Sequence, residues 1–374
     1  MRISLVSLGQ TGAGPVYSFE MAKALSVRND CELQVIISKD ITNLDDWNSI
    51  CIESNTMLCV INAYKRTKSS VILNRFNYYK LENLISLIQN FHADILYIPF
   101  GLMWARYIFW RLHKQVKIIT TIHDVIFHDT PFKLSIAELG SYLLNIGSNK
   151  FVHGHIILNN KDKKHLSQSC HKPLCVIPHA GFDYYMHNKS IQSNNSIHKC
   201  IGFFGRIEHY KGLDILVEAF ERCSTQNLKL IIAGNGTIPH NLKKRIVQNN
   251  SITLINRYIE DFEIEDFLSN VDLVILPYKR ASQSGVIPLC FAAGKAVIAT
   301  NVGALNEQVP EGTGVIVSPS HYEIADTIDY LYSHQDTIIS MGKSAKSYAE
   351  THLSWNKSAD LLINFCSSII KINS

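Results

Sequence analysis

Two short segments in the second half of the chain carry the residue types that hold phosphate. They are Gly205-Arg206 followed by Lys211-Gly212, and Ser282-Gln-Ser-Gly-Val286 leading into Gly294-Lys-Ala-Val-Ile-Ala-Thr300. Arg206 can grip two phosphate oxygens at once through its planar fork, and Lys211 adds a compact point charge a few residues on. Ser282 or Ser284 can cap the helix that follows, Gly285 lets a ligand approach the backbone, and Pro288 is tolerated within a first turn. A helix start offers unpaired amides and the positive end of a dipole to an anion. Arg206, Lys211, Ser284, Gly285 and Val286 are therefore expected to hold a diphosphate. Taken singly, each segment is as readily a solvated turn; placed in one sheet, they reinforce each other.

These segments need strands and helices to aim them. The first follows the apolar run Cys200-Ile-Gly-Phe-Phe204 and opens a stretch in which Leu213, Leu216, Val217 and Phe220 recur at helical spacing. The second follows the buried-strand pattern Val271-Asp-Leu-Val-Ile-Leu-Pro277. Elsewhere strands alternate with helices, the pattern of a parallel sheet covered on both faces. Expected strands in the first half lie at 3–8, 33–38, 95–99, 118–122 and 155–158. In the second half they lie at 200–204, 228–233, 252–255, 273–276, 296–300 and 314–317. The fold class is α/β, with a first domain at 1–180, an exposed linker at 181–198, a second domain at 199–352, and a terminal helix at 353–374 that can pack back on the first domain. Ligands in such sheets sit beyond the carboxyl ends of the strands, and both phosphate segments leave such ends.

Length and composition agree with this plan. A chain of 374 residues exceeds what one core usually supports. A net charge of +4 is too weak to argue for nucleic acid. Nine cysteines are scattered without a metal-ligand spacing, which suits a reducing compartment. The amino terminus reads as too short for a signal peptide and no run approaches a membrane span, so a cytoplasmic protein is expected. Met103-Trp-Ala-Arg-Tyr-Ile-Phe-Trp-Arg-Leu-His-Lys114 mixes aromatic and cationic residues. It reads either as a partly buried helix or as one lying on the cytoplasmic face of the inner membrane.

Gly205-Arg-Ile-Glu-His-Tyr-Lys-Gly-Leu-Asp214, Leu276-Pro-Tyr278, Gln283-Ser-Gly-Val286 and Gly294-Lys-Ala-Val-Ile-Ala-Thr300 resemble, in order and spacing, the nucleotide-sugar-binding half of family 4 glycosyltransferases. The first half is similar more loosely, in Gly9-Gln-Thr-Gly-Ala-Gly14, in His123-Asp124, and in Val176-Ile-Pro-His-Ala-Gly-Phe-Asp183. The resemblance implies the GT-B fold, two Rossmann-like domains facing across a cleft. It places Gly12, Gly14, His123 and Asp124 near the donor sugar and acceptor, with His128 and Asp129 as further candidates for the acceptor side. It sets the Tyr258-Ile259 backbone and Leu289 near the nucleobase and ribose. His179 reads as a satisfied histidine at the domain boundary.

One departure stands out. Ala281 and Leu289 occupy the positions of the paired glutamates typical of the family, and Glu307 is a candidate substitute. The resemblance implies a retaining, metal-independent transferase, with His123, Arg206 and Lys211 as its catalytic residues and no cofactor beyond the nucleoside diphosphate sugar. The acceptor would be a saccharide, lipid-linked, in bacterial O-antigen or capsule synthesis. Two alternatives stay open: a sugar-nucleotide epimerase of the same architecture, and a nucleotide-sugar-binding protein without turnover.

Overall fold

The structure is a computed structural model that describes residues 1–54, 56–62, 78–124, 145–186 and 197–371. His128, Asp129 and positions 187–196 of the expected linker lie outside the described residues. The chain divides into two compact units. The first comprises Met1–Leu158, Asp162–Pro178 and Trp355–Ser374; the second comprises Asn159–Lys161 and His179–Ser354.

In the first unit, β1 (Arg2–Ser7), β2 (Glu32–Ser38), β3 (Met57–Ile61), β4 (Ile95–Ile98), β5 (Lys117–Ile122), β6 (Gly154–Ile157) and β7 (Leu174–Val176) form one sheet in the order β3-β2-β1-β4-β5-β6-β7. All its pairings are parallel. The stretch that makes β4 is fully buried, and β2 is buried beyond its exposed first residue Glu32, as expected of strands covered on both faces. The terminal helix Trp355–Lys371 covers this sheet: a Cβ on Gly154 would come within 2.7 Å of Phe365 Cζ. Gly154 is therefore the residue that lets the helix approach the strand.

The second unit repeats the design with β8 (Cys200–Phe204), β9 (Lys229–Ala233), β10 (Ile252–Ile255), β11 (Leu273–Leu276), β12 (Ala296–Thr300) and β13 (Gly314–Val317), in the order β10-β9-β8-β11-β12-β13. The helix Leu213–Arg222 buries Leu213, Leu216, Val217 and Phe220, each worth about 1.5–3 kcal/mol of burial. Asp272 fastens the edge of the core. Its carboxylate accepts from the His198 and Cys200 amides, each at 2.9 Å, and from Tyr332 OH at 3.0 Å.

In both sheets the strand order reverses between the first strand and the fourth. The loops after β1 and β4, and those after β8 and β11, thus lie side by side, and such a reversal is where α/β sheets take ligands.

The 181–198 segment is not an exposed connection throughout. Phe182 and Tyr185 are buried with ring centroids 5.5 Å apart, and Ile197 packs on the second unit's core. The polar composition hid these apolar anchors.

Candidate functional site

The second unit assembles its site from the loops after β8 and β11. Gly205 ends β8 with φ 113°, in the region that favours glycine. A Cβ placed there would lie 3.0 Å from Lys211 Nζ and 3.8 Å from Val286 Cγ2. An ammonium and the start of the helix Val286–Ala292 therefore flank one point of bare backbone. The turn that delivers Lys211 is pressed against the end of β11: Gly212 has φ 68°, and a Cβ on it would sit 1.9 Å from the Pro277 carbonyl oxygen. The Lys279 amide donates to the Tyr210 carbonyl at 2.7 Å, and Lys279 Nζ pairs with Asp214 at 2.6 Å, closing the same two loops together.

Lys211 Nζ donates to Tyr278 OH at 3.1 Å and stands 5.0 Å from the centre of that ring. The buried Tyr278 hydroxyl is 3.2 Å from Ser284 Oγ, which also accepts from the Val286 amide at 3.2 Å. Ser284 is in turn clamped by Gln308: its amide donates to Oε1 at 2.7 Å and its carbonyl accepts from Nε2 at 3.1 Å. The expectation of open amides at this helix start needs correcting. Buried amides find partners, and those of Ser284 and Val286 are already taken by Gln308 and by Ser284 itself. The Gly285 amide has no hydrogen-bond partner among the described residues.

Arg206 is placed differently from Lys211. It is exposed and makes no ion pair or side-chain hydrogen bond with any described residue, so nothing holds its guanidinium against the Lys211 ammonium. Its charge is available to an incoming anion without first leaving a carboxylate.

His179 belongs to this site, although the sequence marked it only as a boundary residue. It is buried, its Nδ1 lies 2.9 Å from the Ala180 carbonyl oxygen, and its ring meets Phe182 edge-on at 4.8 Å. A Cβ on Gly285 would be 3.6 Å from His179 Nε2. Burial pushes its pKa down to about 4, so the ring is neutral, donating from Nδ1 and leaving Nε2 without a proton. The one sequence signal was its place directly after Pro178 at the end of a strand.

Ala281 and Leu289 are buried and apolar where carboxylates were sought. Between them, Ser282 Oγ and Gln283 Oε1 are buried without a hydrogen-bond partner among the described residues, a cost of about 1–3 kcal/mol each. Glu307 accepts from the Asn160 amide at 2.9 Å. Beyond β10, Tyr258 is half exposed and Ile259 buried. Arg257 fixes their backbone, binding Glu263 at 2.6 Å through both guanidinium nitrogens and the Tyr258 carbonyl at 2.9 Å. Glu260 and Glu263 form a capping box at the next helix.

In the first unit, Gly12 adopts φ 83° at the start of the helix Ala13–Ser26, and a Cβ on Gly14 would lie 3.2 Å from the Phe100 ring. His123 packs on that ring at 4.0 Å, meets Tyr17 edge-on at 4.9 Å, and has Nε2 2.8 Å from the Pro99 carbonyl oxygen. Gly14 and His123 are thus brought to one cluster about Phe100, while Asp124 beside them is exposed. Burial pushes the Tyr17 phenol up to about 12, so it serves as a hydrogen-bonding anchor to Tyr97 and Thr121 and not as a base. Ser7 Oγ, at the end of β1, is buried with no hydrogen-bond partner among the described residues.

A cavity of about 390 Å³ by the amino ends of β4 and β5 is lined by His92, Asp94, His113, Lys114 and Lys117, among others. His113 and Lys114 directly follow the helix Ala105–Leu112, where carbonyl ends attract cations. That accounts for the charges without a ligand. In the same helix, Ala105, Ile108, Phe109 and Leu112 are buried, Arg111 pairs with Glu82, and Trp110 is exposed. Among the described residues, no group of three or more His, Cys, Asp or Glu side chains could hold a metal ion, and no helix is long and apolar enough to cross a membrane.

Comparison with solved structures identifies the architecture. The chain superposes on sucrose-phosphate synthase from Thermosynechococcus elongatus with a TM-score of 0.71, at 14% identity over 99% of both chains. It superposes on Anabaena HepE in complex with UDP-glucose with a TM-score of 0.69, at 16% identity over 98% of this chain and 100% of the other. The fold is GT-B. Residues 198–334 of this GT-B chain match the family described as group 1 glycosyl transferases, a stretch that contains the loops after β8 and β11 but not His179.

Curated relatives align over less. A D-inositol 3-phosphate glycosyltransferase from Corynebacterium aurimucosum is 28% identical over 46% of this chain and 44% of its own length. A lipopolysaccharide core biosynthesis mannosyltransferase from Rhizobium meliloti is 35% identical over 32% of this chain and 37% of its own. The GT-B chain thus spans less than half the length of these curated relatives.

Proposed function

We propose that this protein is a retaining, metal-independent glycosyltransferase that moves a sugar from a nucleoside diphosphate to a hydroxyl of a saccharide acceptor. One observation carries it: Lys211 Nζ and Val286, from loops far apart in sequence, flank the same bare backbone at Gly205. A departing diphosphate gains negative charge as the sugar bond breaks, and preset positive groups stabilise that charge. Lys211 supplies it from a fixed position, Arg206 from a mobile side chain, and the Gly285 amide adds a hydrogen bond. The leaving phosphate takes the acceptor proton. The loop Asn256–Ile259 receives the nucleobase through its backbone, and the Gly14–His123 cluster of the first unit serves the sugar and acceptor.

The acceptor we favour is lipid-linked, in bacterial O-antigen or capsule assembly on the cytoplasmic face of the inner membrane. Exposed Trp110, with exposed Arg106 one helical turn before it and exposed Lys114 just past the helix end, supports peripheral contact with an anionic surface. Flotation with anionic liposomes at low salt tests that contact, and no association removes it.

The deciding experiment is thermal stabilisation of the purified protein by a panel of nucleoside diphosphate sugars, followed by transfer assays with the donor that stabilises most. A ligand at 100 times its Kd adds about 2.7 kcal/mol. Conversion of the nucleotide sugar without any acceptor would instead mark an epimerase, and stabilisation without turnover a binding protein.

A further inference from the structure

Tyr278 stands between the two phosphate segments of the second unit's site. Its side chain is buried, 2% exposed, and its hydroxyl touches both phosphate segments. On one side it accepts from Lys211 Nζ at 3.1 Å, with the ammonium also 5.0 Å from the ring centre. On the other it is 3.2 Å from Ser284 Oγ, the atom that accepts from the Val286 amide.

An ammonium can only donate, so the Tyr278 oxygen accepts from Lys211, while the bond between the Tyr278 and Ser284 hydroxyls can run in either direction. Ser284 Oγ accepts from the Val286 amide, and Gln308 holds the Ser284 backbone from behind. Lysine has a long flexible stem and loses much rotamer freedom when fixed. A buried phenol that fixes it beforehand removes that cost from ligand binding.

We propose that Tyr278 is a positioning residue of the diphosphate site. It holds the Lys211 ammonium against Gly205 and, through Ser284, keeps the start of the helix Val286–Ala292 in register with it. This rests on the diphosphate reading given above and adds to it the group that makes two separate segments act on one anion. Tyr278 itself touches neither the sugar nor the reacting bond.

The test uses inorganic pyrophosphate and UDP as probes, with affinity read by calorimetry on the full chain. Tyr278→Phe keeps the ring and removes the hydroxyl, and is expected to weaken both probes about tenfold, the loss of one hydrogen bond to a charged group. Ser284→Ala is expected to weaken them by a similar factor. Lys211→Met is expected to weaken them further, and adding Tyr278→Phe to Lys211→Met is expected to cost nothing more, because the phenol acts through the lysine. Wild-type affinity in Tyr278→Phe, or a loss that adds in full to that of Lys211→Met, overturns the positioning role and leaves the diphosphate reading standing. A wild-type protein that binds neither probe removes both.

Discussion

His179 Nε2 lies 3.6 Å from the point a Cβ on Gly285 would occupy, and the Phe182 ring lies equally close. Gly285 has φ −70°, which any residue adopts, so what constrains this position is the imidazole and ring beside it. An ordinary van der Waals contact at that distance accepts one methyl group and little more. Gly285→Ala is expected to unfold within about 1 kcal/mol of the wild type. Gly285→Leu, driven into both rings, is expected to lose about 1–3 kcal/mol. Urea midpoints of the two variants check this, and equal stability would show that the rings give way.

The buried histidines make stability depend on acid. His153, His155 and His179 are each lowered from 6.5 to about 4, mainly by burial. The native state therefore binds fewer protons than the unfolded chain between those values. Stability should be full above about pH 6.5 and fall as the pH drops toward 4, by up to about 1.4 kcal/mol per unit for each fully shielded histidine. His153, more open to solvent, contributes less. Denaturant midpoints at pH 7, 5.5 and 4.5 measure the slope, and His155→Gln should flatten it.

Turnover should separate the two cations from the fold. Arg206→Ala and Lys211→Ala are each expected to lower kcat by about 10²–10³-fold, the usual loss when one preset charge-stabilising group is removed. Arg206→Ala should leave the urea midpoint unchanged, since that side chain has no partner among the described residues. Near-normal kcat in both purified variants would remove them from the mechanism.

Gly212 is constrained by backbone on both counts. With φ 68° and the Pro277 oxygen 1.9 Å from any added Cβ, Gly212→Ala is expected to cost at least about 2 kcal/mol and to displace Lys211 from Gly205. The measurement is a paired one, of unfolding midpoint and pyrophosphate affinity. A stable variant with intact affinity would show that the turn relaxes freely.

The chain by itself determined the alternation of strand and helix, because buried parallel strands such as 273–276 are continuous apolar runs and helices such as 213–222 repeat theirs at 3.6-residue spacing. It also supplied the phosphate-binding residue types, since glycines and cations at strand ends are local signals. Edge strand β3 escaped it: with Met57 and Val60 half exposed, its pattern lacks a buried face. Only the tertiary structure decided that β8 and β11 are neighbours, and hence that Lys211, Tyr278 and Ser284 share one hydrogen-bonded chain. Strand order is set by packing among residues far apart in sequence, which no window of spacing contains. The same holds for His179 beside Gly285 and for the amides of Ser284 and Val286. Whether a polar group is open to a ligand depends on which distant side chain reaches it first.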